Sequence, residues 1–270
     1  MNDAGHKSVK QLESYLFSLF PRAWAEPWDK VGLLVGDPNA RVEAVAFALD
    51  ATPLTVRQAK EHGANVLVTH HPVCLEMPRS ISPQSSGAPQ SSSCIWEAVS
   101  TGVAVISMHT NLDRSTHATA ALPSMLGLAP KCGIELGREE HEGRLGSYAP
   151  HEGTLGDLAR SCLGVFGQCS QVYGDLEAPV NRVAFFTGSL GDSAKEALAC
   201  NADAIVCGEC GYHRAIEATG RSCGVIILGH DVSELPLVGV LRDCVADKFI
   251  EASRCVMLDQ PPAWHDTRSL

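Results

Sequence analysis

The chain has 270 residues, a formal charge of −10, 45% apolar residues and 19% charged ones. Those proportions fit a globular protein with room for one large or two small domains, not a disordered segment. No run of about 18 apolar residues is present to cross a bilayer, and an acidic chain without a basic stripe argues against a surface that tracks nucleic-acid phosphates.

The amino terminus, "MNDAGHKSVK", lacks the apolar stretch of a secretory signal. Eleven cysteines, an odd number, are spread without paired spacing. A reducing, cytoplasmic setting with free thiols is therefore expected. Cys207 and Cys210 form one C-x-x-C in "CGEC", half of a zinc site without a second half; small buried apolar residues are the expected role.

In chain order, Val9, Leu12, Leu16 and Leu19 recur every three to four residues, which predicts an amphipathic helix over 8–20 stopped by Pro21. A loop with Trp24 and Trp28 and a short strand in "VGLLVGDP" follow. Val42 to Leu49 reads as a strand, Pro53 to His62 as a helix and Asn65 to Thr69 as a second strand, the pattern of a parallel crossover unit. The stretch "RSISPQSSGAPQSSSC", 79–94, has little to bury and is expected to be a mobile loop. A helix from Ile95 to Thr101 then leads to the strand "VAVISM".

Residues 126–180 are less patterned, with "GRLGSYAP", a helix after Thr154 and a strand in "SQVYG". From 180 the strand–helix–strand pattern returns. The segment beginning "VAFALD" at Val45 aligns with that beginning "VAFFTG" at Val183, at an offset of 138 without a gap. His71 then stands opposite Glu209. Two related α/β lobes are expected, one formed by 1–125 with 228–270 and the other by 126–227. A last strand, "CGVIIL", runs into "GHDVSE".

Residues of metal-ligand type follow three strands: His70 and His71 in "VTHHPV", Asp113 in "HTNLD", and His230 with Glu234 in "GHDVSE". Ligands of open α/β sheets bind beyond the carboxyl ends of the strands, where loops converge. His230 and Glu234, four apart, share a helix face if a helix starts there. Each piece alone has another reading: a buried beside a solvated histidine, a helix cap at Asp113, a core histidine at His230. Together, three imidazoles and two carboxylates exceed the roughly three ligands one open catalytic ion needs and suit two ions about 3.5–4 Å apart. Mixed nitrogen and oxygen donors favour zinc, manganese, iron, cobalt or nickel over magnesium or calcium.

The motifs "THHPV", "HTNLD", "GECGYH" and "GHDVSE", in this order, with "AEPWDKVGLLVGDP" before them, resemble the NIF-three-like dinuclear-metal-centre family, whose members are also called GTP cyclohydrolase I type 2 homologues. Lys30 stands where that signature usually has Asn. The resemblance implies two α/β lobes with two divalent cations in the cleft between them, held by His70, His71, Asp113, His230 and Glu234. It also implies homo-oligomers, often hexameric rings, and a small-molecule or nucleotide substrate.

The chemistry that follows is hydrolysis by a water activated between two ions. Glu234 is the expected bridge, while Glu209, His213 or His109 would hold protons or orient ligands. No Walker-type phosphate loop is present, and "GSLGD" reads equally well as a turn. The same donors would serve a non-catalytic carrier or sensor of metal acting through a partner.

Overall fold

Short strands with every residue buried give this chain its frame. The computed structural model describes residues 6–83, 89–135, 144–167, 171–261 and 264. The chain forms two compact units, 1–110 with 241–270, and 111–240. The first unit begins with α1 (Val9–Leu19), β1 (Gly32–Val35), β2 (Val45–Ala48), α2 (Pro53–Glu61), β3 (Val66–Thr69), α3 (Gln90–Thr101) and β4 (Ala104–Ser107). After the short α4 (Thr110–Asp113), the second unit continues with α5 (Thr116–Met125), β5 (Cys132–Glu135), β6 (Arg144–Thr154), α6 (Leu155–Phe166), β7 (Gln171–Tyr173) and β8 (Pro179–Phe185). Then come α7 (Ala194–Ala199), β9 (Ala204–Cys207), α8 (Tyr212–Thr219), β10 (Gly224–Ile227) and α9 (His230–Lys248), with β11 (Cys255–Met257) back in the first unit.

Side chains at the helix starts satisfy amides that have no partner within the helix. Ser8 with Gln11 boxes α1, Thr52 with Thr55 boxes α2 ahead of Pro53, and Thr154 with Asp157 boxes α6. The first sheet runs β1-β4-β3-β2-β11, and the second β5-β6-β8-β9-β10-β7. β11, β2, β3 and β4 are parallel neighbours in the first sheet, and β8, β9 and β10 in the second. An antiparallel strand closes the same side of each set, β1 on β4 and β7 on β10.

Parallel strands covered on both faces read as near-continuous apolar runs, and β2, β3, β4, β9 and β10 do so apart from Thr69 and Ser107 at the ends of β3 and β4. In the second unit Ala184, Ile205 and Val225 face the helix residues Ala197, Ala215 and Ala218. On the other side Val183, Phe185, Val206 and Ile226 pack with Leu122, Leu155 and Leu158.

The sequence repeat is a structural one. At the offset of 138, β3 and β9 coincide residue for residue, and α2 falls on the 3₁₀ turn Gly191–Ser193 together with α7. The unit boundaries fall inside α4 and α9, whereas the sequence suggested 125/126 and 227/228. The physical reason is that α5 gives Leu122 to the core of the second sheet.

One expectation is corrected. The Ser-rich stretch is not loop as far as Cys94, because α3 already starts at Gln90 and buries Ser92, Ser93 and Cys94. Ser92 Oγ accepts from the Ser82 amide at 3.0 Å, which lets a serine sit in the core. Residues 84–88 of that stretch lie outside the described residues. Cys207 is a fully buried core residue of β9, and burial pushes its thiol well above the usual range. Among the described residues no helix is long and apolar enough to cross a membrane.

Phe185 is among the largest fully buried side chains. Phe185→Ala should cost about 3–5 kcal/mol of unfolding free energy. Leu163→Ala, at an exposed position of α6, should stay within about 0.5 kcal/mol. Urea unfolding of the two variants measures both.

Candidate metal centre

In the first unit three imidazoles gather beyond the carboxyl ends of β3 and β4. The backbone keeps its sheet bonding past Thr69, with the His70 amide donating to Ala48 O at 3.3 Å and the His71 amide to Leu49 O at 2.9 Å. Ser107 Oγ bonds the His70 carbonyl, and Thr69 Oγ1 bonds the His71 carbonyl. On a regular strand adjacent side chains diverge. Here the His70 and His71 rings stand 5.0 Å apart, and His109 lies 5.2 and 5.5 Å from them. One ring nitrogen from each of the three lies within 4.8 Å of the other two.

Each ring is also held from behind. His70 Nδ1 meets Met108 O at 3.0 Å, His71 Nδ1 meets Asp50 Oδ1 at 2.7 Å, and His109 Nδ1 meets Asp29 Oδ1 at 2.8 Å. A carbonyl or carboxylate oxygen only accepts, so Nδ1 is the donor in all three. In the neutral ring the lone pair then belongs to Nε2. This is the arrangement that metal-binding histidines require of their surroundings.

The orienting carboxylates are themselves fixed. Gln260 Nε2 donates to Asp50 Oδ2 at 2.8 Å, while Gln260 Oε1 accepts from the amides of Leu49 and Asp50. Asp29 has a fully buried side chain and accepts from the Thr110 amide at 3.0 Å and its hydroxyl at 2.5 Å. Burial alone would raise the pKa of that carboxyl. The bonds from His109 and Thr110 outweigh it and bring the value down to about 2.

In the second unit β8, β9 and β10 are extended by loop contacts that set the other donors. The Glu209 amide bonds Gly188 O, Leu190 N bonds Glu209 O, and Gly229 N bonds Gly208 O, all at 2.9–3.0 Å. His230 opens α9 and lies between two carboxylates, with Nε2 3.1 Å from Glu234 Oε2 and Nδ1 3.2 Å from Glu209 Oε2. Glu234 raises the His230 pKa most, burial opposes it, and Glu209 adds to the rise, so the imidazole is pushed up to about 9. At neutral pH it is an imidazolium held between two carboxylates. Asp113, the last residue of α4, accepts from Thr187 Oγ1 at 3.4 Å.

Of the other candidates, Glu209 and His109 take the orienting and clustering positions just described. His213 stands exposed in the first turn of α8, its ring edge-on to Tyr212 at 5.5 Å, and no described contact joins it to His230.

Four residues that the sequence did not assign to the site help to build it. Asp29 and Asp50 orient imidazoles, and both are remote in sequence from the rings they hold. Ser233, fully buried, accepts from the Gly188 amide at 2.9 Å and donates to His230 O at 2.8 Å, stapling the 188 loop to the start of α9. Gly188 has φ +58°, and a Cβ there would collide with the Glu234 carboxylate. The "GSLGD" glycine is therefore a seat for Glu234 as well as a turn. The one available signal was the repeat, which sets Gly188 opposite Asp50 and Glu209 opposite His71.

Gly191 offers an internal control, with φ +49° and nothing within 4 Å of an added Cβ. Gly191→Ala should lose only the backbone cost of a left-handed residue, about 1–2 kcal/mol. Gly188→Ala should lose more and displace Glu234, visible as a lower melting temperature and a lowered His230 pKa by NMR titration.

A sequence profile of Duf34/NIF3 (NGG1p interacting factor 3) matches residues 7–261. The "GTP cyclohydrolase 1 type 2 homolog" of Clostridium acetobutylicum is 29% identical over 238 residues, 86% of this chain and 87% of that one. The protein of the same name from Streptomyces coelicolor is 30% identical over 238 residues, 84% of this chain and 82% of that one. Among solved structures, a Bacillus cereus protein related to NIF3 superposes with a TM-score of 0.79 at 19% identity, over 96% of this chain and 98% of that one. Reduced HcgD from Methanocaldococcus jannaschii gives 0.76 at 20% identity, over 94% of this chain and 99% of that one. With a profile matched from Lys7 to Pro261, the chain belongs to the Duf34/NIF3 family.

Proposed function

We propose that His70, His71 and Asp113, together with His230 and Glu234, hold two divalent cations, and that the protein is a metal-dependent hydrolase. One observation carries this reading: three neighbouring imidazoles each have Nδ1 committed to an acceptor, leaving Nε2 as the donor atom. Clusters of this kind are suited to hold a metal ion. The nitrogen and oxygen set fits zinc, manganese, iron, cobalt or nickel.

Bound there, such ions supply Lewis acidity and bring the pKa of a water toward about 7. The chain's own residues do the rest. Met108 O and Asp50 hold the His70 and His71 rings in the donor tautomer. Glu209 accepts the hydrogen bond of the His230 Nδ1–H, so the ring would keep its orientation when Nε2 gives up its proton. His109, its Nδ1 set by Asp29, would offer the Nε2 lone pair beside the donors to take up a proton and pass it on. Glu234, seated over Gly188, would be one of the residues that hold the metal. The relatives' name points to hydrolytic opening of a guanine nucleotide, and the family resemblance supports a homo-oligomer, a hexameric ring in this reading.

A carrier or sensor of metal needs the same donors, so turnover separates the two. Zinc- or manganese-loaded protein is expected to hydrolyse at least one member of a panel of phosphoesters and GTP, with His71→Ala losing both metal uptake and turnover. Tight uptake without turnover across the panel would instead favour the carrier.

Metal affinity should also depend on the orienting groups and on protons. Asp50→Asn should weaken zinc binding about 10–100-fold, read by competition with a chromophoric chelator. Because the His230 pKa is raised, its imidazole is protonated below about 9, and metal must displace that proton. Affinity should therefore rise with pH up to that value. Calorimetric heats should vary with the ionisation enthalpy of the buffer, and His230→Ala should flatten both dependences.

A further inference from the structure

A cavity of about 180 Å³ opens in the first unit, lined by His6, Lys7, Arg41 and Arg254, with Glu251 and Phe249. None of the candidate metal donors lines it. The chain as a whole has 31 acidic residues against 21 lysines and arginines, so Lys7, Arg41 and Arg254 with one carboxylate around a single concavity invert the surrounding charge. A concave site of one sign focuses the field and draws counter-ions.

The backbone under this cluster is well tied. The Val42 amide bonds Lys7 O at 2.8 Å, Val9 N bonds Ala40 O at 2.9 Å, and Ser8 and Arg41 form an antiparallel bridge. Lys7 and Arg41 are thereby held on adjoining extended segments. Arg254 Nη2 bonds Val42 O at 3.0 Å, which brings the third cation to the same edge.

A structural role accounts for part of the cluster. Lys7 Nζ bonds Phe249 O and, at 3.3 Å, Lys248 O, and it lies 4.6 Å from the centre of the Phe249 ring. A cation on the last carbonyls of α9 is a helix C-cap. That role does not explain Arg41, an exposed residue whose guanidinium meets no carboxylate among the described residues.

We propose that this cavity binds the phosphate or diphosphate group of a small molecule. Its volume lies below the roughly 300–1,000 Å³ of sites that enclose a drug-sized ligand, so it suits a compact anion with little attached. Guanidinium forks fit phosphate oxygens in pairs, and two arginines with a lysine match a group of two or more negative charges. Glu251, the one carboxylate, accepts from a ligand hydroxyl or a protonated phosphate.

The probe is inorganic pyrophosphate, titrated calorimetrically into the metal-free full-length chain. Saturable one-site binding that weakens with added salt is expected. Arg41→Glu should weaken it at least about tenfold, the loss of a charge-assisted contact. Arg221→Glu, the same charge change in the exposed turn after α8, should leave it within twofold, and His71→Ala should bind like the unaltered protein. If Arg41→Glu fails to fold by circular dichroism, Arg41→Gln tests the same contact with the same direction expected. The absence of saturable binding, equal affinity in the folded Arg41 variant, or binding lost in His71→Ala and kept in the Arg41 variant would each overturn the proposal. The last outcome would assign the anion to the metal centre, so failure here leaves the hydrolase reading separately testable.

Discussion

An imidazole can serve a metal only through a nitrogen that carries a lone pair, and which nitrogen does so is decided by what the other one touches. In this protein that decision is made at Nδ1 of His70, His71 and His109, by a main-chain carbonyl and two aspartates. The remainder of the first unit serves those three contacts. β3 and β4 run parallel and in register, so Met108 emerges beside Thr69 and its carbonyl reaches the His70 ring. Gln260, beyond β11, fixes Asp50 while capping the end of β2. Any change that slid one strand against its neighbour would turn the rings and lose the donor set, even with every histidine still present.

The internal repeat shows one frame carrying two different sets of polar groups. At equivalent strand ends the first unit has Asp50 and His71, an imidazole with its orienting carboxylate. The second has Gly188 and Glu209. Glu209 keeps the part of orienting carboxylate but acts on His230, which comes from α9. Gly188 contributes no donor and gives its space to Glu234. The chemistry of a strand-end position therefore depends on whether a neighbouring helix also delivers a donor. Where α9 brings two, the loop retreats to glycine.

Much of this was legible in the sequence because parallel, doubly covered strands leave unbroken apolar runs. β2, β3, β4, β9 and β10 were all visible as such, and polar groups directly after them stood out. The helices with capping boxes were equally readable. β6 was not: Gly146, Pro150 and Gly153 interrupt it, and its pairing with β8 shifts between Pro150 and Gly153. The Ser-rich start of α3 misled for a related reason, since serine reads as loop unless the fold offers its hydroxyl a buried partner such as Ser82. In the site, the residues with metal-ligand chemistry were evident and those that aim them were not. Asp29 and Asp50 lie 80 and 21 residues from the rings they hold, a distance only the fold closes.

The second unit carries an electrostatic cost that explains the state of His230. Glu234 is nearly buried, and an ionised carboxylate removed from water needs a counter-charge close by. With Glu209 on the other side of the ring, the imidazolium supplies that charge and is held up to about 9 for the same reason. A proton thus occupies the nitrogen that a cation would take. Exchanging it for a divalent ion keeps the carboxylates compensated and raises the charge between them, so the arrangement that stabilises the metal-free protein also favours the exchange. The acidic balance of the chain acts in the same direction, drawing cations toward a unit whose donors are already seated.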